Sequence, residues 1–255
     1  MANPSEDPRS VSLCVADDST FWPWLSWPKF EAMADKRSRV VVAPIAGLAD
    51  WGLGHPLDAE ETVLLNVLKG ASELSQPDRK PLVLPPLRFV FGADPSCAFA
   101  VEPQVAHALI SEVTASVAAA GFSKLVLLNA SPWNEELCSA VARDLRVSRG
   151  LHLFMVHLSA LDLDFHPQRS RSRRRLQTLL SSLYGSAPEE APAGLPEAPA
   201  PWGTEPVHPL PGPAATLGEA RAEGPAILAS ASGRLSKLLS DIRDRPPLVA
   251  QFTTP

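Results

Sequence analysis

Cysteine is scarce in this chain. The three present, Cys14, Cys97 and Cys138, are scattered, odd in number and free of CxxC spacing, which argues against a disulfide framework or a zinc knuckle and suits a reducing cytoplasm. Basic charge is not in excess: 23 Lys and Arg face 28 Asp and Glu, for a net charge of -5. Without an overall basic field, nucleic acid is not an expected partner. The N-terminus lacks a charged segment followed by an apolar stretch, and no run of about 18 apolar residues occurs, so neither secretion nor membrane insertion is expected. No internal repeat is visible.

Proline, by contrast, is abundant. Of 27 prolines, nine fall between Pro188 and Pro213, and that stretch cannot hold a regular helix, because each proline removes a backbone donor and clashes with the preceding turn. With 255 residues, 45% hydrophobic and 20% charged, the chain can bury a substantial core, and one α/β domain fits its length. Residues 1–20 are polar and turn-rich and form an expected flexible lead-in, leaving 21–255 as the domain. Residues 185–207, rich in Pro, Ala and Glu, read as an extended excursion from it.

Val40 to Ile45, Leu82 to Leu84, Leu125 to Leu128 and Leu151 to Leu158 are apolar runs of strand length. Such runs, separated by helical patterns, predict a mainly parallel sheet buried on both faces and flanked by helices. Helical spacing recurs in Val63, Leu64, Val67 and Leu68. It recurs again in Val105, Leu109, Val113 and Val117 before the stop signal Gly121. An amphipathic helix is expected around Leu176 to Leu180, after a basic cluster of Arg169, Arg171, Arg173, Arg174 and Arg175 that reads as a solvated helix start or subunit contact rather than an anion or phosphate site. Helical pattern resumes at Ala214 and ends near Ile242. Ser26 and Pro28 predict a helix from Lys29 to Lys36. The tryptophans of Phe21-Trp22-Pro23-Trp24-Leu25-Ser26-Trp27-Pro28 are expected to be buried against the core or a subunit neighbour rather than to form a platform for sugars or proline motifs.

Two segments carry the functional argument. The first, Val40 to Glu61, reads VVVAPIAGLADWGLGHPLDAEE, and the second, Lys124 to Glu135, reads KLVLLNASPWNE. Both are strand-to-helix loops, the place where α/β folds gather ligand-binding side chains. In order and context they resemble the creatininase (creatinine amidohydrolase) family. Further matches are Trp27-Pro28, Leu84-Pro85-Pro86-Leu87, Gly121-Phe122 and Pro213-Ala214-Ala215-Thr216. The resemblance implies a single-domain creatininase-like α/β fold, a metal-dependent hydrolase ancestry, and assembly as a homo-oligomer, such as a hexamer, or with an active relative.

The ligand positions implied by that resemblance are mostly replaced. Ala49 stands where the family carries a Glu, Trp51 where it carries a His, Glu60 where it carries an Asp, and Ser131 where the later turn carries a His. Asn129 and Asn134 remain at the ends of that turn, with Pro132 and Trp133 between them. A further acidic ligand stretch has no match after Leu158, where only Asp162, Asp164 and His166 occur. A hydrolytic metal site needs three or more oxygen or imidazole donors and an open position for water. One remnant carboxylate, Glu60, does not meet that need, so no metal is expected.

The same residues suggest substitute chemistries. Asp50, His55, Asp58, Glu60 and Glu61 lie within twelve residues, dense enough for a rearranged zinc or manganese set, but Asp58 and Glu61 also have the spacing of a helix capping box. Glu60 would then favour the positive end of the helix dipole. Ser131 follows a strand, yet it lacks the flanking glycines of a nucleophile elbow and reads as a turn serine. His107 is expected at the surface or satisfied, and Cys138 in the core. The pocket candidates are Asp50, Trp51, His55, Asp58, Glu60, Ser131, Trp133 and Asn134. The expected function is a non-catalytic assembly or binding subunit. The alternative is a metal-dependent amidohydrolase acting on a cyclic amide through Asp50, His55, Asp58 and Glu60, and a third reading makes the Pro-rich 185–207 segment a partner ligand.

Overall fold

A computed structural model describes residues 20–49, 51, 53–91, 97–149, 151–166, 173–188 and 215–246. Its strands are β1 (Val40–Ala46), β2 (Leu48–Ala49), β3 (Leu82–Val83), β4 (Leu87–Arg88), β5 (Val90–Phe91), β6 (Cys97–Ala98), β7 (Ala100–Val101), β8 (Lys124–Asn129) and β9 (His152–His157). The helices are α1 (Trp27–Glu31), α2 (Ala59–Glu73), α3 (Pro103–Ala119), α4 (Glu135–Arg149), α5 (Arg173–Tyr184) and α6 (Leu217–Arg243). The main sheet runs β3-β1-β8-β9, with β4 also on β1, and all of its pairings are parallel. This is the expected α/β fold with a parallel central sheet and flanking helices.

Every residue of β1 and β8 is buried, as expected when helices cover both faces, and successive side chains alternate between two cores. Val40, Val42, Val126 and Leu128 pack with α2, α5 and α6 in one core. Val41, Ile45, Leu125 and Leu127 pack with α3 and α4 in the other. Pro44 sits inside a strand paired on both sides, where proline is normally excluded for want of an N–H. Leu84 donates to the Val42 carbonyl and Phe89 to that of Ala46, so by strand alternation the missing donor of Pro44 faces the same neighbour. There the chain is interrupted by Leu84-Pro85-Pro86 between β3 and β4, and no ladder bond is lost.

Several local expectations change. The first helix begins at Trp27, two residues early, and ends at Glu31 rather than Lys36. In α3 the stripe containing Val105 and Leu109 is not the buried face: these two are 56% and 41% exposed, while Ala106, Ile110, Thr114 and Val117 face the core. A nearly uncharged helix leaves either face available, and packing on α4 selected the other one. Gly121 does end α3 with a φ of 93°, a left-handed value that glycine adopts without strain. The 1–19 lead-in, Arg169, Arg171 and residues 189–207 of the Pro-rich excursion lie outside the described residues, and the side chain of Arg173 is likewise not described. Of the basic cluster, Arg174 is exposed and lies 4.0 Å from Glu219.

Candidate functional site

The two loops meet at the carboxyl end of the sheet. β1 ends at Ala46, just before Gly47, β8 ends at Asn129, and the first turn of α2 brings Glu60 between them. Glu60 is fully buried. Its Oε2 accepts from the Gly47 N–H at 2.5 Å and its Oε1 accepts from the Trp51 indole N–H at 3.1 Å. A Cβ on Gly47 would lie 3.2 Å from that same Oε2 and 3.0 Å from Val90, so glycine is what lets the backbone donor approach the carboxylate so closely. Burial pushes the Glu60 carboxyl up to about 7, against the opposing pull of Gly47, Ser131 and Trp51. Ser131 is fully buried and acts on the Glu60 charge, but its hydroxyl makes no hydrogen bond of ordinary geometry.

Aromatic rings fill the space around this carboxylate. Trp51 stacks on Trp133 at 6.0 Å and meets Phe165 at 5.8 Å, and Trp133 in turn meets His166 at 5.1 Å. Trp51 is 2% exposed and Phe165 1%. Asn129 donates to the Ser131 carbonyl and lies 3.1 Å from His157. Asn134, also buried, donates to the Phe89 carbonyl and accepts from the Phe91 N–H. These bonds fix the turn Pro132–Asn134 to the sheet edge, so the two asparagines hold the loop in place.

The remaining candidates go elsewhere. His55 Nε2 lies 3.2 Å from Ser181 Oγ, and its ring stacks on Tyr184 at 5.4 Å. Burial lowers its pKa to about 4, with a hydrogen bond to the Gln177 backbone opposing the shift. Asp58 is the N-cap of α2 but makes no side-chain capping bond. The expected capping box is therefore absent. Its Oδ1 accepts from the Tyr184 hydroxyl at 2.7 Å, while Glu61 forms a two-pronged pair with Arg88 at 2.6 and 2.7 Å. Tertiary partners took both side chains from the local cap: Glu61 gains a charge-assisted, partly buried pair with Arg88, and Asp58 accepts from Tyr184 at the surface. Asp50 lies outside the described residues. Asp162 pairs with Arg234 and Asp164 accepts from the His166 N–H. Neither turns toward Glu60 in these bonds.

Zinc or manganese does not fit this set of donors. Ala49 offers none, Trp51 presents a proton rather than a lone pair, and the oxygens of Glu60 are engaged by two N–H groups. Among the described residues no three His, Cys, Asp or Glu side chains come together in a way that could hold an ion. Sequence reading missed Gly47, Phe165, Ser181 and Tyr184. Tyr184 carried a signal, being the one tyrosine of the chain and lying on an amphipathic helix, where its hydroxyl would need a partner once buried.

The chain belongs to the creatininase family: the family model for creatinine amidohydrolase matches residues 24–183. Among solved structures, it is similar to a protein from Bacteroides fragilis NCTC 9343 assigned as a creatinine amidohydrolase. The TM-score is 0.65 at 13% identity, over 92% of this chain and 100% of that one. It is also similar to a creatininase variant complexed with creatine, at a TM-score of 0.62 and 17% identity, over 89% and 99% of the two chains. A third similar structure is a creatinine amidohydrolase (creatininase), with a TM-score of 0.58 at 17% identity over 90% and 100%. At these identities the likeness is one of fold. Comparison with the curated proteins finds no match.

Proposed function

We propose that this creatininase-family chain is non-catalytic and acts through its surfaces, as an assembly or binding subunit that joins copies of itself or an active relative. One observation carries the reading: the single carboxylate left at a family ligand position is spent on two N–H donors, one of them the indole that replaces a ligand histidine. The cluster of buried Trp51 and Phe165 with half-buried Trp133 supports it, because the aromatic rings take the volume that a hydrated ion and a substrate need. The chemistry lost here is the activation of a water by a metal.

The test is turnover. Purified protein supplied with zinc or manganese should leave cyclic amides such as creatinine unhydrolysed above the buffer rate. Hydrolysis that disappears in the Glu60→Ala, His55→Ala double variant would instead establish a rearranged catalytic set.

A further inference from the structure

A second feature lies at the amino end of the sheet, opposite the end that carries Glu60. β1 begins at Val40 and β8 at Lys124, and α1 and the end of α3 lead into them there. An open recess of about 590 Å³ is lined by Trp22, Leu25, Trp27 and Phe30, together with residues 119–121 at the end of α3. The Trp22 and Phe30 rings lie 4.7 Å apart, and Trp27 stacks on Phe30 at 6.0 Å with an angle of 22° between the planes. The three rings thus form a row with Phe30 in the middle. Its outer member, Trp27, is 71% exposed, so this indole is not buried against the chain's own core. Aromatic surface left in water in this way marks an interaction site.

Charge around the row is uneven. Glu31 and Lys36 both line the recess, 3.9 Å apart, but the Glu31 side chain is 52% exposed and that of Lys36 17%. Lys36 folds back over the Phe30 ring, 4.5 Å from its centroid, so the acid is the member of the pair that faces solvent. Lys29 is also exposed on α1, but it does not line the recess. The C-terminal end of α3 adds the negative end of a helix dipole. A cationic group on a ligand is therefore favoured here over an anionic one.

We infer that the recess is a docking site for a proline-rich segment of another protein, bound as a polyproline II helix with a basic residue on Glu31. Such a segment has no internal hydrogen bonds and turns every three residues, so it lays its rings on a row of aromatic side chains and offers free carbonyls to indole N–H groups. Being extended before it binds, it loses little conformational entropy on docking. An open recess suits a chain lying across it better than a small molecule, which is mostly enclosed when bound. The chain's own proline-rich stretch fails the charge requirement: Pro188 to Pro213 contains four Glu and no Lys or Arg. The partner is a different chain. The recess goes beyond the assembly reading above, and it does not depend on what became of the ligand positions at the other end of the sheet.

The experiment is isothermal titration of the full chain with a synthetic proline-rich peptide bearing one arginine. Wild type, Trp27→Ala and Glu31→Gln are compared, with near-UV circular dichroism to show that each is folded. Both positions lie outside the cores, so neither change removes buried packing. Wild type should bind with a dissociation constant below about 100 µM. Trp27→Ala should weaken binding at least about tenfold, the scale for losing an interface anchor. Glu31→Gln, or alanine in place of the peptide's arginine, should each weaken it about twofold to fivefold, the range of an exposed ion pair. The two changes together should cost no more than either alone, because they remove the same contact. No saturable binding at about 1 mM peptide overturns the inference. So does affinity unchanged in Trp27→Ala, equal binding of a Gly/Ser peptide of the same length and charge, or tighter binding of a peptide with glutamate in place of arginine.

Discussion

Glu60 is the residue on which the chemistry and the stability of the site both turn. Its folded pKa of about 7 lies above the ordinary value of 4.5. The folded protein therefore holds a proton that the unfolded chain releases, and this contribution is complete below pH 4.5 and lost as pH rises through 7. The shift corresponds to about 3 kcal/mol. His55 works in the opposite direction. Its folded pKa of about 4 is below 6.5, so its contribution is present above pH 6.5 and is lost as pH falls through 4. His152, also lowered by burial, has the same sign as His55. The two trends largely offset one another in the wild type between pH 4.5 and 6.5. In Glu60→Gln, urea midpoints should rise across that interval. In His55→Gln they should fall more steeply toward pH 7 than in wild type. Identical slopes in wild type and Glu60→Gln would show that Glu60 does not hold its proton.

At the level of elements, α6 is held by devices that no periodicity argument exposes. It starts with a capping box between Thr216 and Glu219. At its other end the buried Lys124 donates to the carbonyls of Arg243 and Arg245. Lys124→Met leaves those carbonyls without their charged donor and should cost about 2 kcal/mol or more in denaturant unfolding. Where α6 crosses α5, a Cβ on Gly224 would fall 2.2 Å from Ser182 Cβ. Gly224→Ala should therefore destabilise by about 1–3 kcal/mol through overpacking, despite the better helix propensity of alanine. A neutral or stabilising result would mean that α5 and α6 are not packed this closely.

The contrast between these helices and the strands explains what the sequence could disclose. Strands β1 and β8 are legible because both faces are buried and the runs Val40–Ala46 and Leu125 to Leu128 are apolar throughout, so the pattern and the fold agree. The capping box at Asp58 and Glu61 was misleading, because the same two side chains found Tyr184 and Arg88 from 126 and 27 residues away. The burial direction of α3 was hidden for a related reason: with one charged residue, the helix has no polar face to mark the outside. At the site, the replaced ligands Ala49, Trp51 and Ser131 could be placed by the family resemblance. That the indole of Trp51 would hydrogen-bond the surviving carboxylate depended on loop geometry that only the folded chain contains.

Considered as a whole molecule, the protein keeps the family's parallel sheet and its two converging loops, with aromatic rings packed around the one remaining carboxylate. No helix of the described residues is long and apolar enough to cross a membrane. The proposed surface-mediated role rests on this combination of a retained architecture and an altered site. Elemental analysis of the purified protein, after exposure to excess zinc or manganese and exhaustive dialysis, tests this most directly. The account predicts metal far below one ion per chain, unchanged by Glu60→Ala. A full ion per chain that is lost on that substitution would contradict it.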